Sequence, residues 1–137
     1  MALDIGASTG GFTDLLIARG AAKVYAVDVG SGQLHAKLRA NPKIVSLEAT
    51  DARALDRSVI REPVSAIVAD VSFISLTLVL PGALRLAAPG AWLVALVKPQ
   101  FEAGRQAVGK GGIVRKAEDR ENGCAAASRV RAGLCSA

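Results

Sequence analysis

Residues 2–14 read Ala2-Leu3-Asp4-Ile5-Gly6-Ala7-Ser8-Thr9-Gly10-Gly11-Phe12-Thr13-Asp14, and no other stretch limits the fold as strongly. Ala2 to Ile5 is a short apolar run carrying one acid and closed by glycine. From Phe12 the apolar residues fall at helical spacing: Phe12, Leu15, Leu16 and Ala18 lie toward one side, and Gly20 stops the pattern. The spacing predicts a strand, a glycine-rich turn and a helix. Glycines at such a turn let the backbone approach a ligand and leave the helix-start amides aimed at it.

The dinucleotide fingerprint is G-x-G-x-x-G. Here Gly6 is followed by three residues and then Gly10-Gly11, with Asp4 two residues ahead of the first glycine. An acid so placed repels a pyrophosphate and suits a positively charged ligand. S-adenosylmethionine has an ammonium and a sulfonium, plus a carboxylate for the helix amides. The stretch therefore reads as an S-adenosylmethionine pocket formed by Asp4, Gly6, Ala7, Ser8, Thr9, Gly10, Gly11 and Phe12. On this motif alone, another nucleotide or a plain strand-to-helix turn stays open.

The rest of the chain repeats the alternation. Lys23 to Asp28 reads as a second strand ending in an acid, 24 residues after Asp4. That is close to the ~20-residue offset of a ribose-binding acid; an N-cap on the next helix is the alternative for Asp28. Gln33 to Ala40 reads as a short helix ended by Asn41-Pro42, with His35 on it in no chemical role. Lys43 to Leu47 is a third strand. Asp51 follows it, where an acid can accept from an adenine amine or cap a helix. Val64 to Asp70 and Ala91 to Lys98 are apolar runs ending in a charge, and both read as strands buried on both faces. Between them a helix is expected from Ile74 to Ala87, kinked or broken near Pro81-Gly82. This order predicts a single α/β domain, Rossmann-like, with a doubly wound and mostly parallel sheet. Ligands of such sheets bind beyond the carboxyl ends of the strands, where Asp28, Asp51, Asp70 and Lys98 fall.

Beyond Lys98 runs a glycine-rich loop, Pro99 to Ile113, then a polar helix from Arg115 to about Arg131, and Leu134 to Ala137 as the start of a strand. Residues 98–137 hold eight Lys/Arg against four acids, whereas residues 1–97 hold nine against eight. The basic excess is thus concentrated late, and Arg105, Lys110 and Arg115 are candidates for phosphate contacts; a solvated surface is the alternative. The longest uncharged run, Val71 to Leu84, has 14 residues, too few to span a bilayer. No secretion signal precedes it, so a cytoplasmic protein is expected. Cys124 and Cys135 read as reduced thiols. With His35 the one histidine, no metal site is expected.

Four motifs in order resemble the TlyA (hemolysin A) family of ribosomal RNA methyltransferases, whose catalytic domain is FtsJ-like: Asp4 to Asp14; Asp70-Val71-Ser72-Phe73-Ile74-Ser75-Leu76; Val97-Lys98-Pro99-Gln100-Phe101-Glu102; and Gly109-Lys110-Gly111-Gly112-Ile113-Val114-Arg115. The resemblance implies an S-adenosylmethionine-dependent 2′-O-methyltransferase acting on ribosomal RNA or a ribosomal subunit. It also implies that Asp70 and Lys98 belong to a Lys-Asp-Lys-Glu catalytic tetrad, with Asp70 touching the cofactor as well. On this reading residues 1–137 form one core, without the family's N-terminal RNA-binding domain, its first lysine, its last strands and its glutamate. Glu102 is not the counterpart of that glutamate. A naturally shortened protein is the alternative.

The chemistry agrees. A ribose hydroxyl is a very weak acid and needs a base or a charge-stabilising group held in line with the methyl donor. The expectation is that Lys98 acts there and Asp70 positions it. Methylation of base amines, a binding remnant without turnover, and a membrane-acting haemolysin are the rivals. The first lacks its usual proline turn in Asp70-Val71-Ser72-Phe73, and no membrane-active segment is apparent. Without further strands the last sheet edge lies open, so either self-association through it or coverage by the helix after Arg115 is expected.

Overall fold

Val64 to Ala69 and Ala2 to Ile5 are buried almost throughout, as strands covered on both faces must be. A computed structural model describes the backbone of residues 1–132 and the side chains of residues 1–129. Its elements are β1 (Ala2–Ile5), α1 (Gly11–Ala18), β2 (Val24–Val27), α2 (Ala36–Arg39), β3 (Ile44–Leu47), β4 (Val64–Ala69), α3 (Leu76–Leu84), β5 (Ala87–Ala95), α4 (Pro99–Glu102) and α5 (Ala117–Ala132), with single 3-10 turns at Ala52–Ala54 and Arg105–Ala107. The strand expected from Leu134, and Cys135 with it, lie outside the described residues.

The chain divides into two compact units. The first takes in Met1–Asp70 and Gly82–Ala95 and contains the sheet, in the order β3-β2-β1-β4-β5 with every pairing parallel. The chain winds outward from β1 to β3, then returns to β4 on the other side. The switch point therefore lies between β1 and β4, where a doubly wound sheet opens its ligand crevice. Ala2, Leu16, Val24, Ala66 and Val68 form a core cluster with Phe12 of α1 against it, and Ala7, Ala26, Leu34 and Ile44 form another. Opposite the crevice, Glu62 receives Lys23 Nζ at 2.5 Å and the Tyr25 hydroxyl; these bonds hold its carboxyl down at about 2.

Four expectations need correction. β5 starts at Ala87, not Ala91, because the Leu86 carbonyl already accepts from Val64; the register then slips between Val64 and Ala66 to absorb Pro89-Gly90. It ends at Ala95, so Lys98 stands three residues past the strand. Nor is β5 buried on both faces. Among the described residues it is an edge strand, and Trp92 and Val94 are each 49% exposed. Finally, α3 runs from Leu76 to Leu84 without a break at Pro81, shorter than the span expected, while α2 has one turn only.

Gly10 shows why the first turn needs glycine. Its φ is 102°, and an added Cβ would stand 2.3 Å from Leu38 Cδ1 and 2.8 Å from Leu34 Cδ1. Gly10→Ala is expected to destabilise the fold by about 2 kcal/mol, mostly from the left-handed backbone since leucine ends can shift. Gly11→Ala, at the start of α1 with open space around it, should instead gain up to about 1 kcal/mol. Denaturant unfolding of the two variants checks the contrast.

Candidate functional site

In the first unit, Gly6, Ala7, Ser8, Thr9, Gly11, Phe12, Leu15 and Asp70 line a cavity of about 450 Å³ over the β1–α1 turn. The sequence points to seven of these. Leu15 is the eighth: helical spacing assigns it to the inner stripe of α1, but it is half exposed and forms part of the wall. Gly10 does not line the cavity, because it faces Leu34 and Leu38 beneath the turn.

Asp4 does not line it either. Its carboxylate is wholly buried, with Oδ2 accepting from Thr13 Oγ1 at 2.6 Å. Oδ1 has no hydrogen-bond partner among the described residues. Burial pushes the Asp4 carboxyl up from 3.8 to about 6; the Thr13 bonds oppose the rise, and the charges of Asp70 and Asp28 add to it.

Asp28, just past β2, binds two loops together. Oδ2 accepts from the Ser8 amide at 2.8 Å and Oδ1 from the Gly30 amide at 2.8 Å. The first bond holds Ser8 in a left-handed conformation, φ 49°. Asp51 caps the Ala52–Ala54 turn through the Arg53 amide and pairs with the Arg53 guanidinium at 2.6 Å, which holds its carboxyl below the usual range. The capping alternative is thus present in the hydrogen bonds. His35, without a role in the sequence reading, caps α2 through Nδ1, and its amide donates to the Thr9 carbonyl of the glycine turn.

The second unit takes in Val71–Pro81 and the residues from Leu96 onward. Lys98 Nζ donates to Ser72 Oγ at 2.9 Å, two residues along the chain from Asp70. Phe73 has a φ of 64° and is 91% exposed, with its ring centroid 5.2 Å from that of Phe101. The Pro99–Ile113 stretch, expected as loop, contains α4 and a 3-10 turn, and Gly109 to Ile113 closes on itself through the Gly109 amide and the Ile113 carbonyl. Gly111 and Gly112, both at positive φ, permit that turn, which carries Lys110. Arg105, Lys110 and Arg115 are exposed, whereas the Arg120 guanidinium donates to the Val114 and Arg115 carbonyls. No group of metal-ligating residues occurs among the described residues, and no described helix is long and apolar enough to cross a membrane.

A parallel sheet in this order, with its cavity at the switch point, defines a Rossmann-like α/β domain. The profile of the FtsJ-like methyltransferases matches residues 1–130. The 16S/23S rRNA (cytidine-2′-O)-methyltransferase TlyA of Mycobacterium tuberculosis is 51% identical over 127 residues, 93% of this chain and 47% of that protein. Hemolysin A of Brachyspira hyodysenteriae is 50% identical over 114 residues, 82% of this chain and 48% of its own length. A solved structure from Lactococcus lactis, provisionally named a hemolysin, superposes with a TM-score of 0.90 at 40% identity, covering 97% of this chain and 64% of that one. The chain belongs to the FtsJ-like methyltransferase family, and it spans about half the length of the curated relatives it matches.

Proposed function

We propose that this chain is the donor-binding core of an S-adenosylmethionine-dependent ribosomal RNA methyltransferase that acts on a ribose 2′-hydroxyl. The observation that carries the reading is the glycine-lined cavity at the switch point, with Asp70 in its wall and Asp28 bonded to the Ser8 amide of that wall. Burial does most to raise the Asp4 carboxyl, and the other two charges are near enough to raise it further. Such a field disfavours a pyrophosphate and favours a cation. Asp4 is wholly buried and outside the cavity's lining, so it acts on a ligand there by its charge alone.

In this reading the Gly6–Phe12 turn holds the amino-acid end of the donor, and Asp28 takes the ribose hydroxyls. A carboxylate has about four acceptor positions, so the Ser8 and Gly30 amides leave capacity for them. Asp51 would share its oxygens between Arg53 and the adenine amine. The donor supplies the activated methyl group. Asp70 follows β4 and Lys98 follows the neighbouring β5, whose ends pair Ala69 with Ala95. Lys98 serves at the hydroxyl and Asp70 positions it. Arg105, Lys110 and Arg115 meet RNA phosphates, and the exposed Phe73 ring offers a stacking surface for an unpaired base.

The turn after β4 has no proline to seat an exocyclic amine, which supports ribose over base as the target. The activity named for the relatives supports a protein that works beside ribosomes, in the cytoplasm. We also propose that β5, the last strand of the sheet among the described residues, pairs with a second copy of the chain, since Trp92 and Val94 stand half exposed there. Calorimetry with S-adenosylmethionine and S-adenosylhomocysteine, beside methyl incorporation into ribosomal subunits, tests the main reading. Binding of the sulfonium form is expected. Absence of binding would sink it.

A further inference from the structure

The sequence offers Glu102 no part in the chemistry, yet among the described residues the second unit gives it more hydrogen-bond partners than any other acid there. Oε1 accepts from the Leu76 amide at 2.8 Å, the first amide of α3. Oε2 accepts from the Ser75 hydroxyl at 2.6 Å, and Ser75 Oγ in turn accepts from the Thr77 amide. A carboxylate is thus brought from another segment to satisfy donors that a helix start cannot satisfy itself.

Behind Glu102 stands α5. A Cβ on Gly123 would lie 3.0 Å from Glu102 Cβ, so glycine in the helix interior lets the α5 backbone close on that side chain. In front, the two segments meet at three successive places: Lys98 with Ser72, Phe101 with Phe73, and Glu102 with Ser75 and Leu76. Lys98 caps α4 and Glu102 ends it, one helical turn apart. Fixing one end of so short an element orients the other.

We propose that Glu102 is a positioning residue for Lys98: by receiving the Leu76 amide and the Ser75 hydroxyl, it fixes α4 against the start of α3 and so sets where the lysine amine is presented. The catalytic consequence rests on the role of Lys98 proposed above; the positioning does not.

The first test needs no turnover. Acylation of Lys98 by an N-hydroxysuccinimide ester is followed by peptide mass spectrometry, with exposed Lys110 as the internal reference. Glu102→Ala should raise the Lys98 rate about 5-fold at constant Lys110 rate, since losing a hydrogen-bonded anchor shifts such an equilibrium by that order. Glu102→Gln should stay near wild type, because its amide can accept from Leu76 and donate to Ser75. An unchanged Lys98 rate in the alanine variant would overturn the proposal. If Glu102→Ala does not fold, Ser75→Ala removes one of the two bonds, and a rise of about 2-fold is expected; no rise overturns the proposal equally.

The second test is methyl transfer to ribosomal RNA. Glu102→Ala should lower kcat roughly 10- to 100-fold with KM for the donor within about 2-fold, and Glu102→Gln should restore most of it. Loss of kcat and donor binding together would mark Glu102 as merely structural. A wild-type protein that binds no donor would refute the function proposed above, while the acylation rates would still decide for or against Glu102.

Discussion

Lys98→Ala is expected to lower methyl transfer to ribosomal RNA roughly 10²- to 10⁴-fold while leaving donor binding almost unchanged, the range typical of losing a proton-transfer or charge-stabilising group. A ribose hydroxyl cannot attack a methyl group until its proton leaves or the growing negative charge is offset. The amine of Lys98, following β5, is suited to either task, and Ser72 Oγ accepts from it at 2.9 Å. The cavity proposed for the donor is lined by the first unit, so removing the amine should spare binding. Single-turnover rates with labelled donor, beside calorimetry, separate the two effects. A rate within about 3-fold of wild type would show that this amine does not act at the hydroxyl.

Asp4→Asn should make the protein more stable and less able to bind its donor. The Asp4 carboxyl titrates near 6 in the fold against 3.8 when unfolded. Its contribution is therefore fully present below the unfolded value and lost as pH rises through about 6. A rise of that size corresponds to about 3 kcal/mol withheld at pH 8. An asparagine keeps the bond from Thr13 and removes the buried charge, though its amide nitrogen then needs an acceptor. A gain of about 2 kcal/mol at pH 8, vanishing near pH 4, is expected from urea unfolding. Affinity for S-adenosylmethionine should fall on the order of 10-fold, as expected for one charge pair lost at moderate range. By the same sign, wild-type affinity should weaken as pH drops below about 6 and Asp4 takes up a proton. Equal stability of the two proteins at pH 8 would show that the charge is not held at a cost.

The sheet was legible because β1 and β4 are covered on both faces and leave little room for polar residues, and because glycine punctuates the turn between strand and helix. The setting of Asp4 was legible in part. Side chains alternate along a strand, and Ala2 packs in the cluster with Leu16 of α1, so Asp4 shares the face toward that helix rather than toward solvent. What local pattern could not give are contacts between distant segments. Nothing near Glu102 announces that Ser75 and Leu76, more than twenty residues earlier, are its partners. The early start of β5 likewise depends on Val64 bonding to Leu86, across a proline and a glycine that locally argue for a turn.

The chain has a single tryptophan, and it stands on the outermost of the described strands, about half exposed to water. The molecule therefore carries its own optical gauge at the place where another chain would dock. Emission that moves to shorter wavelength as the solution is concentrated would register the edge closing, and a spectrum indifferent to dilution would mean it stays wet.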